Sequence, residues 1–379
     1  MTTLTPAPLA TDAIAPRSLD HFVTLGRSGL RVSPLCLGAM TFGEEWGFGV
    51  DAGESFDVIG AYLEHGGNFI DTANVYTKGH SEAIIGDYFA DGPGAGRRDR
   101  VVIATKFMGN MHAGDPNGGG GGRKAIMAAC DESLRRLRTD YIDLYWAHFW
   151  DRHTPIDEMM QTLDDLVRAG KVRYIGISDH PAWVCVQAQY EAQLRGWTPL
   201  VALQIEYSLL QRTVEADLMP MARALNLGVT PWSPLRAGIL TGKYTRENRP
   251  AVGTTRVPED SRFLTDKTYD LIEAIIAIAD ELGTTPARVS LQWVQSRQGV
   301  TSTILGARTV DHLLDNVGAL GVELTAEHVQ RLDDASAVDL PFPCEFVEQT
   351  RHAIQNGANV NGLPGTPWTL GPANDGERW

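Results

Sequence analysis

Four side chains able to handle a proton stand at or just beyond short apolar runs. Asp71 ends "FID", Lys106 ends "VVIATK", and His148 follows "YIDLYWA". Tyr76 lies five residues past Asp71, in "DTANVY". Together they suit the transfer of a proton to an oxygen that is gaining electrons. A phenol with an ordinary pKa of ~10 is a reluctant acid at neutral pH, and lowering it by about 2 to 3 units requires roughly 3 to 4 kcal/mol. An ammonium about 4 Å away gives ~1 kcal/mol in water and ~4 kcal/mol at an effective dielectric near 20. A sheltered Lys106 is therefore large enough to tune Tyr76, and an exposed one is not. Burial alone would tend to deprotonate Lys106, and Asp71 would keep it charged. His148 can donate a hydrogen bond to a substrate oxygen and hold it near the phenol. No nucleophile pair accompanies these groups, so the natural partner is a hydride from a bound cofactor.

Singly, each residue has a structural reading. An Asp at a strand end caps helices and turns, and a loop Tyr covers core. The argument for chemistry lies in all four meeting on one rim, which requires the strand ends to be neighbours. Strand-like runs occur at Leu35–Gly38, Phe69–Asp71, Val101–Thr105, Ile142–Trp146, Val172–Ser178, Val201–Ile205, Gly228–Trp232 and Ser302–Gly306. Helical stripes fall between them: Ile126, Cys130, Leu134 and Leu137; Ile156, Met159, Met160, Leu163, Leu166 and Val167; Leu271, Ile275, Ile278 and Leu282. Eight such alternations predict an α/β fold, a (β/α)8 TIM barrel. An open doubly wound sheet is the alternative, but no G-x-G-x-x-G follows any strand. "FVTLGRSGLRVS" reads as an N-terminal β-hairpin plugging the barrel.

Residues 1–20 read as a mobile N-terminal tail, 21–340 as the barrel, and 341–379 as a tail or a loop over the barrel mouth. Long loops follow the third and seventh strands, over residues 109–123 and 236–263, at the C-terminal face that carries active sites in this architecture. The five-glycine run in the first could equally be plain linker.

Hydrophobic residues make up 43% and charged residues 21% of the 379, which is globular composition. The net charge of −14 argues against nucleic acid or an anionic membrane as partner. Four widely spaced cysteines without C-x-x-C fit reduced thiols and a cytoplasmic location. No apolar run reaches the ~18 residues of a membrane span, and the N-terminus lacks the basic and apolar regions of a signal peptide.

Several segments together resemble the aldo-keto reductase family, over roughly residues 22 to 340. "LGRSGLRVSPLCLGAMTFG" is similar to its opening hairpin and first strand; "FIDTANVYTKGHSE", "VVIATKF" and "YIDLYWAH" to its catalytic segments; "YIGIS", "LQIEYSLLQR", "PWSPLRAGILTGKY" and "ILGARTVDHLLDN" to its cofactor segments. The resemblance implies a barrel using a nicotinamide cofactor, usually NADPH with NADH left open, and no metal. It implies reversible reduction of an aldehyde or ketone, with Asp71, Tyr76, Lys106 and His148 as tetrad and Tyr76 as proton donor. It also carries over cofactor contacts: Met40; Ser178, Asp179 and Gln204 at the carboxamide; Trp232 stacked on the ring; Ser233, Pro234, Leu235, Gly238 and Lys243 around the pyrophosphate; Gly306, Arg308, His312 and Asn316 at the adenosine end. Arg308 is the candidate for a 2′-phosphate. Two positions depart from the family pattern, Asp179 where Asn is usual and His312 where Gln is usual.

Two other functions have weaker support. Some relatives of the family are non-catalytic, cofactor-binding regulatory subunits that typically lack the tetrad histidine, and His148 is present here. A metal-dependent barrel hydrolase could draw on His112, His148 and His153, but the chain has no H-x-H and no H-E-x-x-H. The partner is then a small carbonyl or alcohol; the homo-oligomeric state stays open. Trp46, Phe48, Trp150 and Trp183, near strand C-terminal ends, suggest an apolar or aromatic pocket.

Overall fold

Strand residues alternate between two faces, and in a closed barrel one face must be the inside. A computed structural model shows this for residues 17–250, 257, 261–362 and 364–378, the residues it describes. Eight parallel strands form one sheet: β3 (Leu35–Gly38), β4 (Phe69–Asp71), β5 (Val102–Phe107), β6 (Ile142–Ala147), β7 (Val172–Ser178), β8 (Leu200–Glu206), β9 (Gly228–Trp232) and β10 (Thr303–Gly306). They are ordered β10-β3-β4-β5-β6-β7-β8-β9, and the ring closes where Val229 bridges Val300. β5 extends past its expected end. Lys106 still pairs in the ladder with Trp146.

Helices separate the strands: α1 (Ala52–Glu64), α2 (His80–Ala90), α3 (Arg123–Leu137), α4 (Ile156–Arg168), α5 (Ala182–Arg195), α6 (Leu218–Ala224), α7 (Asp266–Leu282), α8 (Pro286–Gln295) and α9 (Val310–Val317), then α10 (Ala326–Ala335) and α11 (Cys344–Gln355). Ile126, Cys130 and Leu137 of α3, the α4 stripe from Ile156 to Leu166, and Leu271, Ile275 and Ile278 of α7 are buried. They cover outward strand residues such as Ile103, Tyr145 and Ile177. The inward residues make a separate inner core of Cys36, Phe69, Val102, Ala104, Leu144, Trp146, Ala202 and Ile304.

The hairpin, β1 (Val23–Thr24) and β2 (Arg31–Val32), adds Leu25 and Val32 to that inner core. Arg27 donates its backbone N–H to Asn226 at 2.9 Å. Gly26 permits the seating: its φ is +57°, and a Cβ there would lie 2.2 Å from the Val201 carbonyl oxygen.

The five-glycine segment is a built loop. Gly121 donates to Asp151 at 2.9 Å and Gly120 to the Met108 carbonyl at 2.8 Å. A Cβ on Gly119 would lie 2.6 Å from the Cα of Asn110, so a side chain has no room at that position. Residues 1–16 of the expected N-terminal tail, and 251–256 and 258–260 of the second long loop, lie outside the described residues. In the C-terminal segment, Cys344 donates its thiol to the Ala216 carbonyl at 3.2 Å. No described helix is long and apolar enough to cross a membrane.

Candidate active site

The same alternation that fills the inner core sets the rim. Two residues past Phe69 comes Asp71; two past Ala104, Lys106; two past Trp146, His148; two past Gly176, Ser178; two past Ala202, Gln204. Ladder pairing steps them around the rim: Asp71 lies opposite Ala104 and Lys106 opposite Trp146, each two residues short of the next rim residue, while Ser178 and Gln204 are level. Each inward row thus changes from apolar to polar at the C-terminal mouth.

Lys106 is fully buried, and its ammonium spends three donors on three acceptors. It pairs with Asp71, donates to the Thr72 carbonyl at 2.9 Å, and donates to the Tyr76 hydroxyl at 3.2 Å. Burial works to lower its pKa, but the Asp71 charge and the phenol outweigh this and hold it above its ordinary value. Burial pushes the Asp71 carboxyl up, while Lys106 and Gln204 pull it down. The lowering expected of Tyr76 is not the net outcome. Burial raises the phenol, Lys106 opposes that, and the nearby Asp71 carboxylate cancels part of the ammonium's field. Tyr76 rests as a neutral phenol, the form that donates a proton.

The loop carrying Tyr76 is pinned. Asn74 donates to the Lys106 carbonyl through its backbone at 3.1 Å and to the Gly109 carbonyl through its side chain at 3.0 Å. Thr77 and Lys78 follow in left-handed backbone (φ +46° and +57°), a strained conformation for a β-branched residue. The buried Thr77 hydroxyl, donating to the Phe42 carbonyl at 2.7 Å, helps hold it. His148 meets Tyr76 edge-on, ring centroids 5.8 Å apart. Burial and Lys106 lower its pKa to about 3, so the imidazole is neutral. Its Nδ1 is sheltered and unpartnered among the described residues. Trp46 packs edge-on against Tyr76 at 6.0 Å, with Phe48 beyond it; Phe149 lies 5.0 Å from His148, and Trp150 meets Trp183 at 5.5 Å.

Beside this centre, Asp179 accepts from the Trp232 indole at 3.0 Å and from the Ser178 hydroxyl at 3.1 Å. Gln204 is bound to Asp71, its Nε2 donating to Oδ2 at 3.1 Å. A cavity of about 380 Å³ opens next to Trp232 and Ser233, lined also by Arg236, Arg262 and Phe263. Arg236 pairs with Glu206 and lies 3.9 Å over the Phe263 ring. Pro234 is buried, Leu235 is half-buried, and Gly238 (φ +91°) brings the Lys243 ammonium close. Arg308 is exposed just before α9, where Thr309 caps the helix by accepting from His312 N–H at 3.2 Å. Asn316 donates to the Gly306 carbonyl at 3.4 Å, and Met40 is half-buried just past β3.

These residues fit a dinucleotide. Burial and the charge of Arg308 both lower the Lys243 pKa. Neither cation has an acidic partner among the described residues, so a phosphate would relieve a repulsion already present. Trp232 has a half-exposed ring, and Gly306 has open space beside it. Three features escaped the sequence reading: the Gln204–Asp71 bond, the Glu206–Arg236 pair and Phe149. Glu206 was readable, since it shares the inward parity of Gln204. Among the described residues, no three of His, Cys, Asp and Glu are grouped to hold a metal.

The model of the family described as aldo/keto reductase matches residues 34–337. An uncharacterized oxidoreductase of Bacillus subtilis, YrpG, is 40% identical over 83% of this chain and 95% of its own length. A norsolorinic acid reductase of Aspergillus flavus is 36% identical over 87% of this chain and 84% of its own. An aryl-alcohol dehydrogenase [NADP(+)] of Phanerodontia chrysosporium is 35% identical over 83% and 85%. Barrel, rim and matched length agree: the chain belongs to the aldo/keto reductase family and is an NAD(P)H-dependent oxidoreductase.

Proposed function

We propose that the protein reduces an aromatic aldehyde or ketone to the alcohol with NADPH, reversibly, and that Tyr76 supplies the proton. The observation that carries this is the buried Lys106 ammonium shared between Asp71 and the Tyr76 hydroxyl. When bound, the nicotinamide supplies the hydride for the carbonyl carbon. Tyr76 gives its phenolic proton to the carbonyl oxygen, and Lys106 steadies the phenolate left behind. Asp71 keeps Lys106 protonated inside the barrel. Neutral His148 offers an N–H to the same oxygen and orients it. In alcohol oxidation the Tyr76 phenolate takes the proton back. Trp46, Phe48 and Phe149 around Tyr76 and His148 favour a flat apolar substrate, in keeping with the names of two relatives. Lys243 and Arg308 favour the phosphorylated cofactor. Four unpaired cysteines support a reducing, cytoplasmic setting.

The test is a panel of aryl and alkyl aldehydes and ketones followed at the NADPH absorbance, repeated with NADH. Tyr76→Phe should cut turnover by about 10²-fold or more while still binding NADPH. Binding without turnover of any carbonyl by the wild type would point instead to the regulatory-subunit reading.

A further inference from the structure

Asp179 follows β7 in left-handed backbone (φ +50°), a conformation that Asp and Asn tolerate better than most residues. Among the described residues its carboxylate accepts from neutral donors, the Trp232 indole and the Ser178 hydroxyl. Among the described residues it has no ion-pair partner. The other inner charges cancel, Asp71 against Lys106 and Glu206 against Arg236, and His148 is neutral. Beside the indole that is assigned to the nicotinamide, Asp179 is therefore a carboxylate without an ion-pair partner among the described residues.

The two redox states of nicotinamide differ in charge. The oxidised ring is a cation and the reduced ring is neutral. A neutral amide at position 179 would serve both alike, whereas a carboxylate does not. We infer that Asp179 is a specificity-determining residue that favours the oxidised cofactor, its carboxylate acting as counter-charge to the cationic ring. This rests on the cofactor site proposed above. Burial pushes the Asp179 carboxyl up to about 6, against the pull of Trp232, Ser178 and Lys106, so it is charged at pH 8 and neutral at pH 5. The titratable or charged groups acting on it from neighbouring elements are Lys106 of β5 and Tyr76 after β4. Lys106 stays charged, and Tyr76 stays neutral, across that range.

The experiment measures Kd for NADP⁺ and for NADPH on the cofactor-free protein, by quenching of intrinsic tryptophan fluorescence. Asp179→Asn keeps an oxygen for the Trp232 indole. At about pH 8 it should lose NADP⁺ affinity by about fivefold or more, the bulk-water limit for unit charges ~4 Å apart, with a smaller change for NADPH. Equal losses for both cofactors, or no change, would overturn the inference and leave Asp179 as a support for Trp232. If the variant does not fold, the wild type still decides. Its ratio of NADPH to NADP⁺ Kd should fall between about pH 8 and about pH 5 as Asp179 takes up a proton. A ratio that ignores pH would overturn the inference, and titration of the 2′-phosphate cancels because both cofactors carry it. Failure of the wild type to bind either cofactor would remove the site itself, an outcome distinct from a lost preference.

Discussion

Gln204 at the end of β8 donates to Asp71 at the end of β4, Nε2 to Oδ2, across 3.1 Å. The two carboxylate oxygens of Asp71 thus have different partners, Lys106 on one and Gln204 on the other. The resemblance assigns Gln204 to the nicotinamide carboxamide. With Nε2 committed to Asp71, Oε1 is the atom left for that contact. Gln204→Leu removes a buried hydrogen bond to a charged acceptor, and such bonds contribute about 1.5–3 kcal/mol. Urea unfolding should show a loss of that size. A change within about 0.5 kcal/mol, ordinary for a surface substitution, would mean that Asp71 does not depend on this donor.

Lys106→Met leaves the Asp71 carboxylate buried without its cation. Breaking a buried pair in this way costs about 3–5 kcal/mol. The cost should depend on pH, and its sign follows from Asp71. Burial already raises the folded carboxyl's pKa, and losing Lys106 raises it further. A group protonated more readily when folded destabilises the fold as pH rises from the ordinary carboxyl range, near ~4, to its folded value, and no further above that. Unfolding at about pH 5 and about pH 8 should give the larger loss at the higher pH. A loss equal at both would show that missing packing, not the orphaned charge, is responsible.

The barrel was legible because strand length and alternation carry it. Gly228–Trp232 and Val172–Ser178 fall where their β-branched runs end. The rim was legible for the same reason, since polar residues such as Asp71 and Lys106 interrupt apolar runs at the point where a barrel opens. The direction of the Tyr76 shift was not legible. It is the difference between burial and two opposed charges, and none of the three has a magnitude that a sequence displays. Gln204–Asp71 was hidden too, because the partners are 133 residues apart and meet only across the barrel. Nor could composition separate a linker from the built loop over residues 109–123, where Gly118 and Gly119 are set by contact with Asn110.

His148 should not titrate in the physiological range. Burial and the neighbouring Lys106 ammonium hold its pKa at about 3, so the imidazole stays neutral from about pH 5 upwards. Its ring-proton NMR signals should stay put between about pH 5 and pH 8, whereas an exposed histidine titrates near ~6.5. A midpoint near that ordinary value would show water reaching the ring, and would turn the neutral donor assigned to His148 into a pH-dependent one.

Arg308 should separate the two nicotinamide cofactors. It stands exposed beside Gly306 at the mouth, close enough to Lys243 to help lower that ammonium's pKa. The dinucleotides differ by one 2′-phosphate, a dianion that a guanidinium grips through paired N–H donors. Losing a charge-assisted bond of about 1.5–3 kcal/mol corresponds to roughly 10- to 100-fold in Kd. Arg308→Ala should therefore weaken NADPH by about that factor and NADH by less than about threefold. The weakening should shrink at high salt, which already screens the exposed guanidinium in the wild type. Fluorescence titrations with both cofactors at two ionic strengths decide the matter, and equal losses would place the phosphate elsewhere, with Lys243 the next residue to change.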